Sequence, residues 1–208
     1  HLFSSAASDV YKRQALSIGI LRPIGNPSTT SVGLPLEYKI LPEYFKEVGY
    51  RTSLVGKWHL GMSSEEYLPS QRGFDTTYGF MNGGIDYFKH TMSGRLDWHK
   101  NGNPLREEGY STELIADEAI KIIQNKQSNK PLLLYVAFNA PHTPIQAPYE
   151  EIEKFNYIDD PKERIYAANV SILDKQTGRV INAIKDNGLS TNTLILFFSD
   201  NGPVFDID

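Results

Sequence analysis

A chain of 208 residues with 40% hydrophobic and 12% aromatic content is long enough to bury one sizeable core and too apolar to be disordered. Its formal net charge of -4 argues against nucleic acid or an anionic membrane as the partner, so an anionic substrate would need a local cluster of cations. There is no cysteine, which excludes disulfides and thiolate metal sites in this stretch, and no apolar run reaches the length of a membrane span.

In chain order, residues 1–14 (HLFSSAASDVYKRQ) show no sustained helix or strand period and read as a non-native or scar segment. Residues 15–208 read as part of one domain, because the sequence stops at Asp208 a few residues past an apolar strand. Ala15 to Pro35 is rich in Gly, Pro, Ser and Thr and is expected to be loop. A short helix follows, with Pro42 in its first turn, Phe45 and Val48 inward and Gly49 as its stop. Arg51 to Val55 is a short strand ending at Gly56, and Met62 to Gly109 is a long excursion of loops and short strands. Ser111 is a candidate N-cap for a helix with an Ile115, Ala119, Ile122, Ile123 stripe. Leu132 to Phe138 suits a strand buried on both faces. A long helix over about Lys162 to Asn187 turns Ile165, Ile172, Leu173, Val180, Ile181 and Ile184 to one side and closes at Gly188. Thr193 to Phe198 is a further apolar strand. Helices alternating with apolar strands predict an α/β fold, a mainly parallel sheet flanked by helices.

Ligands of such sheets gather at the carboxyl ends of the strands. Three predicted strands run into residues capable of chemistry: the first into Lys57 and His59, the second into Asn139 and His142, the third into Asp200 and Asn201. Within Gly56-Lys57-Trp58-His59-Leu60-Gly61, lysine suits a tetrahedral oxyanion and histidine moves a proton near neutral pH. A surface turn with a solvated Lys and a capping His is the competing reading. In Asn139-Ala140-Pro141-His142-Thr143-Pro144 the flanking prolines fix the backbone and so the direction of the ring, although a lone histidine is often structural. Ser199-Asp200-Asn201-Gly202 offers a carboxylate and an amide oxygen side by side, donors that Ca²⁺ or Mg²⁺ selects, in a sequence that also makes an ordinary turn. Gln71-Arg72-Gly73-Phe74-Asp75 is expected to be an Arg–Asp pair holding a loop, and Asp174 a solvated helix position.

Taken in order, these motifs resemble the type I sulfatases of the alkaline-phosphatase-like superfamily. The similarity runs from about Leu34 to Pro203 and is carried by Gly49-Tyr50-Arg51-Thr52, the Gly56–Gly61 string, Arg72-Gly73-Phe74-Asp75, Ala140-Pro141-His142 and Ser199-Asp200-Asn201-Gly202. Tyr67-Leu68-Pro69 through Asp75, Asp86-Tyr87 and Tyr166-Ala167-Ala168-Asn169-Val170 are similar to the arylsulfatase B (N-acetylgalactosamine-4-sulfatase) branch. The resemblance implies sulfate-ester hydrolysis on a sulfated carbohydrate, a glycosaminoglycan or an aryl sulfate. Lys57 would contact sulfate and the formylglycine nucleophile, and His59 would hydrogen-bond the formylglycine diol and help collapse its sulfated intermediate. His142 would contact sulfate and protonate the departing alcohol, and Asp200 and Asn201 would ligate one Ca²⁺ ion (Mg²⁺ is the alternative). It further implies a formylglycine-generating enzyme as a partner and a secreted, periplasmic or lysosomal setting.

The sequence departs from the family pattern in three places. Formylglycine is made from the Cys or Ser of a C/S-x-P-S-R signature, and neither occurs here in that context. The family's N-terminal Asp-Asp metal ligands and the sulfate-binding Lys after Asp-Asn-Gly are also missing. Ala15-Leu16-Ser17-Ile18-Gly19 resembles the tract that follows the signature, which would put the nucleophile near Asp9. The expectation is therefore a partial sulfatase catalytic domain over 15–208, itself inactive. A phosphodiesterase or phosphonate hydrolase of the same superfamily and a non-catalytic carbohydrate-binding pseudo-sulfatase are the alternatives. Tyr87, His90, Trp98 and His99 are candidates for a sugar-stacking wall, with core packing as the competing account.

Overall fold

The computed structural model describes residues 33–125 and 129–202. The scar reading of 1–14, nearly all of the predicted loop over 15–35 and the inferred nucleophile position at Asp9 lie outside the described residues.

The first helix, α1, spans Leu41–Glu47. Glu43 accepts a 2.6 Å hydrogen bond from the Ile40 N–H, closing the first turn, and Pro42 sits where its missing N–H costs nothing. Phe45 meets Tyr50 edge-on at 4.7 Å, but Val48 is 72% exposed, so the predicted inward face is narrower than its apolar residues suggest.

Strand β1, Arg51–Lys57, is the middle one of the three parallel strands. It pairs in parallel with β2 (Thr76–Phe80) on one side and β7 (Leu132–Ala137) on the other. Beyond β2 the sheet continues antiparallel through β5 (His99–Lys100) and β6 (Asn103–Pro104), while β3 (Thr91–Met92) and β4 (Arg95–Leu96) form a separate ribbon. The order is β6-β5-β2-β1-β7. This is the expected mainly parallel sheet, with one addition: β2 lies inside the predicted irregular excursion, where its Thr-Thr-Tyr-Gly-Phe run is too short to announce itself by period.

Alternation along β1 divides the core. Val55 faces Tyr78, Phe80, Ile85, Trp98 and Ile115 of α2 (Ser111–Gln124), whereas Leu54 faces Trp58, Phe74 and Met81 under Ile40 and Leu68. Full burial of a side chain such as Ile115 is worth about 1.5–3 kcal/mol. On the α2 side lies a second layer, α4 (Pro161–Asp186), whose N-cap Asp160 accepts from the Lys162 and Glu163 N–H groups at 2.7 and 3.1 Å. Its Ala168 and Ile172 close a third cluster with Tyr87, Tyr110, Ala140 and Ala147. A short helix, α3 (Tyr149–Ile152), packs beside it.

Three expectations are corrected. β7 is half-buried rather than buried on both faces, with Tyr135 44% exposed, because it is the edge of the sheet among the described residues. Thr193 to Phe198 is not a strand: it has no ladder partner among the described residues, and Leu194, Leu196, Phe197 and Phe198 are exposed. Arg72 does hold a loop, but through the carbonyls of Leu34 (3.1 Å) and Tyr38 (2.6 Å) with Glu43 at 3.6 Å, not through Asp75. Asp75 instead accepts from the Thr52 N–H at 3.0 Å and pairs with Lys46 at 2.8 Å.

The three parallel strands approach one another through glycine. A Cβ on Gly56 would lie 1.9 Å from the Ala137 carbonyl oxygen, and one on Gly79 would lie 2.2 Å from the Gly56 oxygen. Both residues hold positive φ, +113° and +132°. Gly56→Ala is therefore expected to cost at least about 1–3 kcal/mol from backbone strain alone. It should lower Tm by several degrees in a thermal melt, whereas Gly178→Ala, with open space around it, should not.

Two loop carboxylates make the fold acid-sensitive. Burial pushes Asp75 upward, but hydrogen bonds from Lys46 and Thr52 outweigh it and hold the group below 3.8. Asp86 follows the same balance, with the Lys89 and Phe88 N–H groups and Gln146 as donors. A carboxylate depressed in the folded state leaves the unfolded chain binding more protons, so its stabilisation is present above the ordinary value and is lost as pH falls through the folded one. The urea midpoint is expected to fall as pH drops below about 3.8. That fall should be shallower in Asp75→Asn than in the wild type.

Candidate functional site

The parallel register decides where the chemistry-bearing residues stand. Gly56 is level with Ala137 and Lys57 with Phe80, so the chain leaves β1, β2 and β7 at the same edge of the sheet. Beyond that edge the Trp58 and His59 N–H groups donate to the Phe80 and Met81 carbonyls at 2.9 and 3.1 Å. Trp58 turns inward, its indole N–H shared between the Gly61 and Tyr67 carbonyls and its ring edge-on to Phe74. That anchor leaves Lys57 and His59, on either side of it, half-buried at the rim. His59 adopts φ of 54°, a conformation that an L residue holds only where its surroundings impose it.

His142 reaches the same place from β7. Its N–H closes a turn onto the Asn139 carbonyl at 2.8 Å, and the Ala140–Pro141 and Thr143–Pro144 bonds on either side are cis. Its Nδ1 lies 2.7 Å from the Thr143 carbonyl oxygen. A carbonyl can only accept, so Nδ1 carries the hydrogen and Nε2 is the nitrogen that gains or loses the second proton. Asn139 is not available for chemistry: it is buried and exchanges hydrogen bonds with Ser111, tying the end of β7 to the start of α2.

The segment that seats both histidines follows β2. A Cβ on Gly83 would lie 2.6 Å from His59 Cε1 and 2.7 Å from its Nε2, while one on Gly84 would lie 3.1 Å from His142 Nδ1. Adjacent residues thus touch the two rings. The His142 carbonyl also accepts the buried Tyr87 hydroxyl at 2.8 Å. Below this segment Asp97, 4% exposed, accepts from the Met81 N–H (3.0 Å), the Asn82 N–H (2.9 Å), the Asn82 side-chain amide (2.7 Å) and His99 Nε2 (3.1 Å). Burial raises the Asp97 carboxyl, and the His99, Met81 and Asn82 donors outweigh it and keep it below the usual carboxylate range. None of Gly83, Gly84, Tyr87 and Asp97 was singled out for such a role from the sequence. The one signal was a Gly-Gly pair directly after a strand, and it needed β2 to be recognised first.

Lys57 and Asp200 are electrostatically coupled. Burial lowers the Lys57 ammonium from its ordinary 10.5, and the Asp200 carboxylate pulls it partly back. The same carboxylate adds to burial in raising the Tyr135 phenol. Asp200 and Asn201 are themselves exposed, the Asn201 amide donating to the Gly202 carbonyl at 2.8 Å. They are hard oxygen donors of the kind Ca²⁺ takes, but two side chains fall short of the roughly six to eight oxygens of its shell. Among the described residues no group of three or more His, Cys, Asp and Glu could hold a metal ion. The donors fit a hard cation in kind, not in number.

The sugar-stacking wall is overturned for three of its four members. Tyr87, Trp98 and His90 are at most 1% exposed, with His90 stacked on Trp98 at 4.6 Å and Trp98 donating to Glu107 at 2.6 Å. They are core. His99, partly exposed, is engaged by Asp97.

Comparison with known proteins gives the family. Residues 10–206 match the family model described as Sulfatase. The chain is 38% identical over 177 residues to arylsulfatase J of Mus musculus, covering 81% of this chain and 30% of that protein. It is 35% identical to the uncharacterized sulfatase YdeN of Escherichia coli, covering 84% of this chain and 34% of that one. Among solved structures, Ps i-CgsB in complex with k-i-k-neocarrahexaose superimposes with a TM-score of 0.74 at 31% identity, over 84% of this chain and 42% of its own. The chain thus spans roughly a third of the length of these curated relatives. With the family model matched over nearly its whole length, the chain belongs to the sulfatase family.

Proposed function

We propose that the protein to which this chain belongs hydrolyses sulfate esters of a sulfated carbohydrate, and that Lys57, His59 and His142 act on the sulfate ester. The observation that carries this reading is the seating of His59 and His142 against adjacent residues, Gly83 and Gly84, with the half-buried Lys57 two residues before His59. The solved structure of Ps i-CgsB in complex with k-i-k-neocarrahexaose supports a carbohydrate as the substrate class. Family membership supports formylglycine, supplied through a formylglycine-generating enzyme, and a secreted, periplasmic or lysosomal setting. Among the described residues no helix is long and apolar enough to cross a membrane.

The roles follow from the side chains. Lys57, half-buried, presents a compact positive charge to the sulfuryl oxygens, and its partial desolvation strengthens that attraction. His142, its Nδ1–H fixed on the Thr143 carbonyl, presents Nε2 as the atom that hands a proton to the departing alcohol. His59, seated against the other glycine of the pair, is proposed as a second proton carrier at the site. Asp200 and Asn201 are proposed as two donors of a larger divalent-cation shell, which when filled polarises the sulfuryl oxygens. No Cys or signature Ser is present to become formylglycine, so no step is assigned to that group.

The test is a substrate comparison in the full-length protein. His142→Ala is expected to lower kcat/KM about 10²–10⁴-fold on a sugar sulfate, whose alkoxide needs a proton as it leaves. On nitrophenyl sulfate, whose leaving group does not, the loss should be far smaller. Lys57→Ala should reduce both substrates by similar factors, since the sulfuryl charge is common to them. Equal losses on both substrates in His142→Ala would remove the leaving-group role. Binding of a sulfated saccharide without turnover by the full-length wild type would replace hydrolysis with carbohydrate binding.

A second expectation concerns the 208-residue chain alone. With calcium present it should not turn over nitrophenyl sulfate above a heat-killed control, because its described residues hold no group of three or more His, Cys, Asp and Glu fit for a metal ion and its sequence has no nucleophile in the family's signature. Measurable turnover would show that the family nucleophile is dispensable.

A further inference from the structure

We infer that the segment from Met81 to Tyr87, locked from below by Asp97, is a positioning device that sets the spacing and orientation of the His59 and His142 rings. The inference rests on the proposed catalytic role of those histidines and adds residues that the motifs carrying the family resemblance do not assign to the site.

The two histidines follow neighbouring strands, β1 and β7, which are paired as far as Gly56 and Ala137. Past the end of that pairing a third chain segment lies against both rings. At one end the Met81 carbonyl accepts the His59 N–H at 3.1 Å, and Gly83 lies so close under the His59 ring that a Cβ would come within 2.6 Å of it. One residue on, Gly84 lies against the His142 ring and the Thr143 carbonyl, where a Cβ would meet those atoms at 3.1 and 2.8 Å. Three residues further the Tyr87 hydroxyl donates to the His142 carbonyl at 2.8 Å. A backbone path of four residues, Met81 to Gly84, therefore separates the supports of the two imidazoles.

Such a path fixes ring spacing only if it cannot shift, and Asp97 supplies that rigidity. Its two oxygens receive the Met81 and Asn82 backbone N–H groups and the Asn82 amide. Three bonds on successive residues immediately before the glycine pair remove the freedom that Gly-Gly would otherwise give. The carboxylate is buried and also engages His99 at 3.1 Å, so its own position is fixed from the β5 side. At the far end, Tyr87 is held through its N–H on Gln146 at 2.7 Å and its ring stacked with Tyr110 at 5.3 Å. Glycine at 83 and 84 is thus a requirement of contact: each leaves room for an imidazole that any side chain would displace.

The experiment reads the histidine rings directly by NMR of the 208-residue chain, with ring signals assigned through single histidine substitutions. Tyr87→Phe removes only a hydroxyl; it is expected to shift the His142 ring signals and leave those of His59 in place. Gly83→Ala should do the reverse, and Asp97→Asn should move both rings together. In the full-length protein, Tyr87→Phe should lower kcat on a sugar sulfate about 10–100-fold with KM nearly unchanged, and spare nitrophenyl sulfate. The inference is overturned if Tyr87→Phe leaves His142 at its wild-type shifts, or if Asp97→Asn moves His99 alone. Loss of the whole fold in Asp97→Asn together with a silent Tyr87→Phe would also overturn it. If instead the rings move as expected while His142→Ala shows no substrate selectivity, the positioning stands and the catalytic reading fails, so the two can fail separately.

Discussion

Gly56 and Gly79 lie where the backbones of β7, β1 and β2 approach too closely for any side chain, and the rest of the molecule depends on that approach. Parallel pairing has a geometric consequence that antiparallel pairing lacks: all carboxyl ends leave at one edge. Because Gly56 is level with Ala137 and adjacent to Lys57, the residues that follow each strand start from nearly the same height. Lys57, His59, Asn82 and His142 are then brought together by sheet register rather than by their loops. The loops only have to finish the placement, which is why Trp58 and Asp97, both inward-facing and both saturated with hydrogen bonds, matter more than their distance from the rim suggests.

Burial disfavours the charge on both Asp97 and Lys57, and their partners decide the outcome. Asp97 is deep but receives several donors, so its negative charge is favoured and its protons are lost early. Lys57 is desolvated with a weaker countercharge, so its ammonium is less favoured than in water. The first arrangement suits a group that holds backbone in place, since a satisfied carboxylate is costly to disturb. The second suits a group that meets a transient anion, because a partly desolvated cation gains more from a sulfate oxyanion than a hydrated one would.

Much of this was legible in the sequence, and the limits have physical causes. Lys57 and His59 followed from a strand ending in glycine, and the two long helices from their stripes and stops, because 3.6-residue periodicity survives over several turns. β2 falls among the short strands expected over Met62 to Gly109 but was not placed individually: five residues carry barely two alternations, and its Thr-Thr-Tyr-Gly-Phe composition blends into the surrounding aromatic excursion. Leaving β2 unplaced concealed the glycine pair and Asp97, whose importance exists only once the segment after β2 is known to lie between two other strand ends. Tyr87, His90 and Trp98 failed in the other direction. An aromatic residue suits a sugar face and a core equally, and only packing on Tyr110 or Phe80 distinguishes them. Arg72 was read with the right purpose and the wrong partner, because the carbonyls of Leu34 and Tyr38 carry no sequence signal at all.

The apolar run after α4 shows how composition and context part company. Leu194 to Phe198 has the residues of a buried strand, yet it stands exposed beside no ladder among the described residues. A strand is stabilised by pairing and by the faces it covers, and neither is intrinsic to its residues. The electrostatics nevertheless tie this segment to the site, since Asp200 at its end is the countercharge that Lys57 feels. The strength of that coupling rests on an exposed segment, whereas the histidine spacing rests on buried residues such as Asp97 and Tyr87. Ring geometry and lysine charge are therefore set by separate parts of the structure, and a change that loosens the 193–200 segment should alter the poise of Lys57 while leaving the two imidazoles where Asp97 and the glycine pair hold them.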